Sequence, residues 1–214
     1  MKKGMIALIG MIVALVFIIV ALIGPWYAVS TKYTLGTTEY KMDATMSLTS
    51  STTSTTGGET KTVSHADSRK AAAAAGADTG LYDIINIAFY LTIFALIVAI
   101  LALISMLGHV FNFGKPKMMK NLAMIFGIIT FVLTIVAVLY FMVALPDKMN
   151  SSMGAASLGK IGFWYSTTIS GTSISLGPGF AWYLMLIAGI IALIASIVML
   201  LKKSAPEVVA QPSQ

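Results

Sequence analysis

The chain has 214 residues, of which 57% are hydrophobic and only 10% are charged, and its mean hydropathy is +0.89. Soluble domains carry about 25% charged residues, so the composition excludes an ordinary soluble protein and indicates a membrane protein. The absence of cysteine excludes disulfides, thiolate metal sites and cysteine nucleophiles. The two histidines, His65 and His109, are too few and lie in settings too different to indicate a haem or a metal centre.

Four apolar runs are long enough to cross a bilayer as helices, which takes about 20 residues each. They cover residues 4–23, 81–107, 122–145 and 180–201, and none has a charge at its centre. The first run follows Met-Lys-Lys, so a cleaved signal peptide is the alternative there. Its apolar part is longer than the roughly 7–15 residues of a signal peptide. We therefore predict one membrane domain over residues 1–214, with four spans.

The placement of lysines predicts the orientation, because cytoplasmic loops are enriched in positive charge. We place both termini, the loop 108–121 and the tail 202–214 in the cytoplasm. That side then carries one acidic residue, Glu207, against Lys2, Lys3, Lys115, Lys117, Lys120, Lys202 and Lys203. The whole net charge of +6 lies on this side, so it reports topology and gives no reason to expect nucleic acid. The predicted location is the plasma membrane, with the lipid bilayer as a partner.

The clearest strand pattern lies in the first outer loop, residues 24–80, where apolar and polar residues alternate from Glu39 to Leu48. This period is typical of a half-buried β-strand. Residues 27–34 are rich in β-formers and predict an earlier strand. We expect most of the alternating apolar row to pack internally, and this row consists of Tyr40, Met42, Ala44, Met46 and Leu48.

The rest of the first outer loop contains a polar tract and a short helix. Residues 49–58 are mostly serine and threonine, so we expect an exposed loop, either O-glycosylated or a flexible hairpin tip. We expect the contact surface at this tip and at the sheet edge. Residues 59–65 predict a returning strand, with His65 at the surface. A helix over residues 67–75 is predicted from its five alanines, with Asp67 or Ser68 as its cap and Gly76 ending it.

The second outer loop, residues 146–179, is predicted to begin at Pro146, because proline disrupts a helix. Asn150 then opens an Asn-Ser-Ser sequon and is a candidate N-glycosylation site. Residues 163–176 predict a hairpin around Ser170-Gly171. Aromatic residues near the outer ends of the spans are expected to anchor in the membrane interface, with a specific contact as the alternative: Trp26, Tyr27, Trp164, Trp182 and Tyr183.

The order of these elements resembles the superfamily of claudins, peripheral myelin protein and the calcium-channel gamma subunits. Pro25-Trp26-Tyr27 sits where that family has a tryptophan at the start of its first outer loop. Residues 177–184, Gly-Pro-Gly-Phe-Ala-Trp-Tyr-Leu, look like the entry to the family's fourth span. The Gly-Leu-Trp element and the paired cysteines of claudins are absent, so the chain resembles a distant, cysteine-free, microbial type of relative.

The resemblance implies a membrane all-α four-helix bundle with an extracellular antiparallel β-sheet formed by the two outer loops. The sheet would combine the segments 27–34, 39–48, 59–65 and 163–176. Family members present such a sheet for lateral assembly, cell contact or partner binding. The expected partners are therefore further copies of the chain, as a homo-oligomer, or another membrane protein.

Three classes of function follow from these observations. A non-catalytic structural or interaction protein fits the large outer loops best. An accessory subunit of a channel or transporter is the alternative, although the spans lack the central ionisable groups that mark transport pathways. An enzyme is not expected, because no nucleophile, phosphate loop or metal spacing is recognisable, and we expect no cofactor.

Overall fold

The computed structural model describes residues 2–113, 115–153 and 160–201, so the predicted tail 202–214 lies outside the described residues. Four of its helices are long and apolar enough to cross a membrane, which confirms the prediction of a multi-pass membrane protein. A shorter helix, α2, precedes the second of these spans. The helices are α1 (Lys2–Ile23), α2 (His65–Ala74), α3 (Gly80–Val110), α4 (Pro116–Met153) and α5 (Phe180–Leu200).

The four long helices form a bundle held together by small side chains. Helices α1 and α4 each pack against both α3 and α5, so α1 and α4 lie on opposite sides of the bundle. Ala14, Ala99 and Ala192 are fully buried in it. A methyl group on Gly127 would overlap the Ser196 hydroxyl, which shows how closely α4 approaches α5. Small residues permit such close approach where no hydrophobic effect drives helices together.

Both loops at one end of the bundle contribute to a single six-stranded antiparallel sheet, in the order β4-β3-β2-β1-β6-β5. This confirms the predicted combination of a four-helix bundle with an antiparallel sheet. We call this end of the bundle the sheet end. The strands are β1 (Tyr27–Leu35), β2 (Thr38–Met46), β3 (Ser50–Thr55), β4 (Lys61–Ser64), β5 (Tyr165–Ile169) and β6 (Thr172–Pro178).

The dipeptide Pro25-Trp26 joins the bundle to the sheet through its backbone. The N–H of Trp26 donates to the carbonyl of Met46 at 2.7 Å, and the Trp26 carbonyl accepts the N–H of Gly179 at 2.9 Å. The Pro25 carbonyl accepts the N–H of Ala181 at 3.0 Å. The end of α1, the end of β2 and the start of α5 are therefore fixed at one point.

Residues 50–55 of the polar tract expected to be a loop are instead strand β3, so that prediction was wrong there, whereas residues 56–58 do form part of an exposed turn before β4. Threonine is β-branched and favours extended backbone. Backbone pairing with β2 and β4 holds the strand, and the hydroxyls of Thr52 and Thr62 lie 3.0 Å apart across the β3–β4 pair. The expectation failed because it required every strand to bury an apolar face.

Pro146 does not end the third span, contrary to prediction, because α4 continues through it to Met153. Two contacts hold the helix beyond the proline. Lys148 forms an ion pair with Asp78 just before α3. The side-chain amide of Asn150 pairs with the backbone of Ile161, donating to its carbonyl at 2.8 Å and accepting its N–H at 2.7 Å. Tertiary contacts thus outweigh the missing backbone hydrogen bond.

Helix α2 starts earlier than predicted, at His65, so neither Asp67 nor Ser68 is its cap. Ser64 occupies the cap position and makes no side-chain capping bond. Gly76 does end the helix as expected. It adopts a φ of +67°, which favours glycine, and its N–H donates to the carbonyl of Ala73 at 3.1 Å.

Candidate interaction surfaces of the sheet

The strand register divides the sheet into two faces of different chemistry. Val29 lies opposite both Ala44 and Leu176, and Tyr33 lies opposite Tyr40. These residues share one face, which we call the apolar face. The polar face carries the alternate positions, which are Ser30, Lys32, Lys41, Asp43, Thr45, Ser173 and Ser175. The alternation read from residues 39–48 therefore identifies the two faces of β2.

The alternating apolar row of β2 is buried only near the bundle. Leu48, just beyond the strand, is 2% exposed, and Met46 and Ala44 are half-buried. Further from the bundle, Met42 is 39% exposed, and the ring of Tyr40 stacks on that of Tyr33 with centroids 5.3 Å apart. Internal packing therefore holds for the base of the row and fails for its outer end.

The outer end of the apolar face carries a cluster of large exposed side chains. Leu35 is 70% exposed, Tyr33 is 41% exposed and Ile169 is 39% exposed. No described part of the chain covers them. We call this cluster the distal apolar surface, and it consists of Tyr33, Leu35, Tyr40, Met42 and Ile169. We expected a contact surface at the serine- and threonine-rich tract and the sheet edge, and that stays a prediction. The exposed apolar side chains of this cluster lie on β1, β2 and the edge strand β5.

Three of the five predicted interfacial aromatic residues are buried within the protein. Trp26 and Tyr27 are 0% and 1% exposed, and Trp182 is 5% exposed. Their polar atoms bond to the protein: the Trp182 indole N–H donates to the Val138 carbonyl at 3.2 Å, and the Tyr27 hydroxyl to the Phe163 carbonyl at 3.2 Å. Burial raises the pKa of Tyr27 to about 12. The burial of these three rings inside the protein departs from the role in the membrane interface that we expected for them.

The two remaining aromatic residues do lie at the protein surface. Trp164 is 56% exposed and Tyr183 is 43% exposed. The Trp164 indole N–H points to the Tyr183 hydroxyl at 3.5 Å. Trp164 also packs edge-on against Trp182, with centroids 5.9 Å apart. This exposed pair is free to contact lipid, and that contact stays a prediction.

His65, expected at the surface, is buried and only 6% exposed. Its Nε2 lies 3.0 Å from the carbonyl of Ser47, which can only accept, so Nε2 carries the proton. Burial lowers the pKa of His65, and hydrogen bonds to backbone groups of Ser47 and Ser50 only partly oppose it. Tyr82 of α3 lies beside it, with ring centroids 6.1 Å apart. His65 is therefore a neutral structural residue that fixes the corner between β4 and α2.

Asn150 lies in the described part of the chain, with its amide engaged in the two bonds to Ile161. The same Nδ2 atom would carry an N-linked glycan. A glycan there would have to coexist with the contact to the Ile161 carbonyl. Glycosylation of Asn150 stays a prediction.

A wide, open groove of about 550 Å³ lies on the polar face. Strands β2, β1 and β6 form its wall, and Trp164, together with Tyr183 of α5, forms its edge on the side of the helical bundle. Lys41 and Asp43 make an ion pair of 2.7 Å in it. Hydrogen bonds from the Lys41 ammonium and then from the Ser30 hydroxyl hold the pKa of Asp43 below its usual range. The groove thus combines both signs of charge with hydroxyls and aromatic edges. We call it the polar groove.

The buried hydroxyl groups within the spans donate to carbonyls of their own helices. The hydroxyls of Thr92, Thr130 and Ser196 donate to the carbonyl four residues earlier, at 2.8, 2.9 and 2.8 Å. Within the described ranges, no buried side-chain nitrogen or oxygen lacks a partner. The same residues contain no group of three histidine, aspartate or glutamate side chains suited to a metal ion.

No protein-family model matches this chain, and no curated protein sequence matches it.

Proposed function

We propose that this chain is a non-catalytic integral protein of the plasma membrane. Its four helices anchor an extracellular sheet that contacts further copies of the chain, the cell envelope or another membrane protein. The distal apolar surface carries the proposal. Large exposed apolar patches on a folded protein are typical of interaction sites, and four side chains of this patch are 39% to 70% exposed on one face.

The geometry of the sheet supports this role. The stacked pair Tyr33–Tyr40 sits on adjacent antiparallel strands, so the patch is held on a rigid element. Aromatic residues and methionine are enriched in protein interfaces. Thr34 and Glu39 lie on the opposite face, so the large apolar side chains at this end of the sheet are presented together on one side.

The claudin-like assignment belongs to the same proposal. One sheet formed from two loops above a four-helix bundle is the arrangement that the resemblance implies, and Pro25-Trp26 stands at the start of β1. The lysine distribution supports cytoplasmic termini, with the sheet outside.

A double variant tests the use of the distal apolar surface. Leu35→Lys combined with Met42→Lys places two charges on it, whereas the control Thr34→Lys with Ser54→Lys adds the same charge to the polar face. Crosslinking in native membranes should yield complexes from the wild type and the control and lose most of them in the Leu35/Met42 variant. A wild-type chain that remains monomeric, with no partner crosslinked, would refute the proposed function.

A further inference from the structure

The polar groove continues directly into the lipid-facing surface of α5. Tyr183 lines the groove and also begins a stripe of exposed side chains at helical spacing with Ile187, Ile190 and Ile194. An amphiphile with its head in the groove would therefore lay its tail along this stripe. A soluble ligand would use the groove and leave the stripe unused.

The polar lining of the groove is charge-balanced. The Lys41 ammonium and the Asp43 carboxylate lie 2.7 Å apart, and their side chains are 48% and 39% exposed. Ion pairs this exposed contribute little to stability, so Lys41 and Asp43 can each give up the other as a partner and bind a ligand at little cost. Together they offer one site for an anion and one for a cation.

We propose that the polar groove binds the headgroup of a zwitterionic aminophospholipid of the surrounding membrane. Lys41 binds the phosphate, and Asp43 accepts hydrogen bonds from the primary ammonium. The hydroxyls of Thr45 and Ser175 lie on the same face and donate to phosphate oxygens. Trp164 and Tyr183 flank the glycerol region, where amphipathic rings are favoured.

The charges of the groove favour one headgroup over its relatives. Phosphatidylethanolamine supplies both a phosphate and N–H donors. Phosphatidylcholine carries a cation that cannot donate hydrogen bonds to Asp43, and phosphatidylglycerol carries no cation. We therefore expect phosphatidylethanolamine to bind most tightly. This site needs only the single chain, so it is independent of the assembly proposed above.

Native mass spectrometry of the purified, delipidated full chain tests the site. The detergent-solubilised protein is offered equimolar phosphatidylethanolamine, phosphatidylcholine and phosphatidylglycerol with identical acyl chains. Lys41→Gln should lower retention of all three lipids by about tenfold, the size expected for one charge-assisted hydrogen bond. Asp43→Asn should remove the preference for phosphatidylethanolamine. Lys61→Gln, on β4 outside the groove, is the matched control and should bind as the wild type does.

Several results would overturn the proposal. One is equal binding of phosphatidylethanolamine and phosphatidylglycerol by the wild type, a measurement that does not depend on any variant. Another is undiminished binding by Lys41→Gln at an unchanged melting temperature. A third concerns the acyl chains. Glycerophosphoethanolamine is the same headgroup without acyl chains, and at equal concentration it should fail to displace the bound phospholipid. Displacement by it would exclude the contact along α5.

Discussion

At the scale of single residues, Trp26 completes the hydrogen bonding at the end of α1. The carbonyl of Ala21 would normally accept an N–H from residue 25, but Pro25 has none. The indole N–H of Trp26 takes that place, at 2.6 Å from the Ala21 oxygen. The apolar run over residues 4–23 predicted the end of α1. That the neighbouring indole would satisfy the freed carbonyl, and so be buried, depends on tertiary packing with Phe141.

His65 makes stability at the sheet end depend on pH. Its pKa is lower in the folded protein than in the unfolded chain, where it is about 6.5, because burial disfavours the charged ring. The unfolded state therefore binds more protons as the pH falls, and stability declines. We expect His65 to make its full contribution to the free energy of unfolding above about pH 6.5. The melting temperature should fall as the pH drops through that value.

The two histidines provide a matched comparison for this expectation. His65→Gln keeps a hydrogen-bond donor but does not titrate, so its melting temperature should lose the decline between pH 7 and 5. His109→Gln, at the other end of the bundle, should keep it. An unchanged pH profile in the His65 variant would show that another group is responsible.

At the scale of elements, periodicity predicted the spans, β2 and the hairpin around Ser170-Gly171, whose positive φ angles of 49° and 81° fit a tight turn. These elements are encoded locally. Strand β3 and the last turns of α4 are not, because they are held by neighbours: β3 by two flanking strands, and α4 beyond Pro146 by Asp78 and Ile161. Pattern alone favoured a loop in both places.

Gly179 controls how α5 meets the sheet. A methyl group there would overlap the backbone carbonyl of Pro25, which cannot move without disturbing Trp26. We expect Gly179→Ala to destabilise the protein by about 1–3 kcal/mol, the usual cost of overpacking. Gly177→Ala is the control, because its new methyl would be 3.9 Å from the nearest atom of Trp164, an ordinary contact. Thermal unfolding in detergent compares the two, and equal melting temperatures would contradict this view of the junction.

At the scale of the whole molecule, the sequence predicted a bundle below a sheet but not which part of the sheet is left uncovered. Alternation over residues 39–48 identifies a face of β2. It cannot show that Leu48 meets the core while Met42 remains 39% exposed, since that depends on how far the sheet extends beyond the bundle. The distal apolar surface also includes Ile169, from a segment distant in sequence.

The cysteine-free chain allows a clean test of the proposed orientation. Thr34→Cys places a single thiol on an exposed position of the sheet, and Lys117→Cys places one near the start of α4. A membrane-impermeant maleimide applied to intact cells should label position 34 and leave position 117 unlabelled until the cells are opened. The reverse pattern would place the sheet in the cytoplasm.

The most direct test of the proposed function is photo-crosslinking in native membranes from two adjacent positions. A photoreactive residue at Leu35 projects from the distal apolar surface, and the same residue at Thr34 projects from the opposite face. We expect discrete adducts, to a second copy or to one other membrane protein, from position 35 and far fewer from position 34. Equal labelling from both positions, or lipid adducts alone, would contradict the role of this surface in assembly.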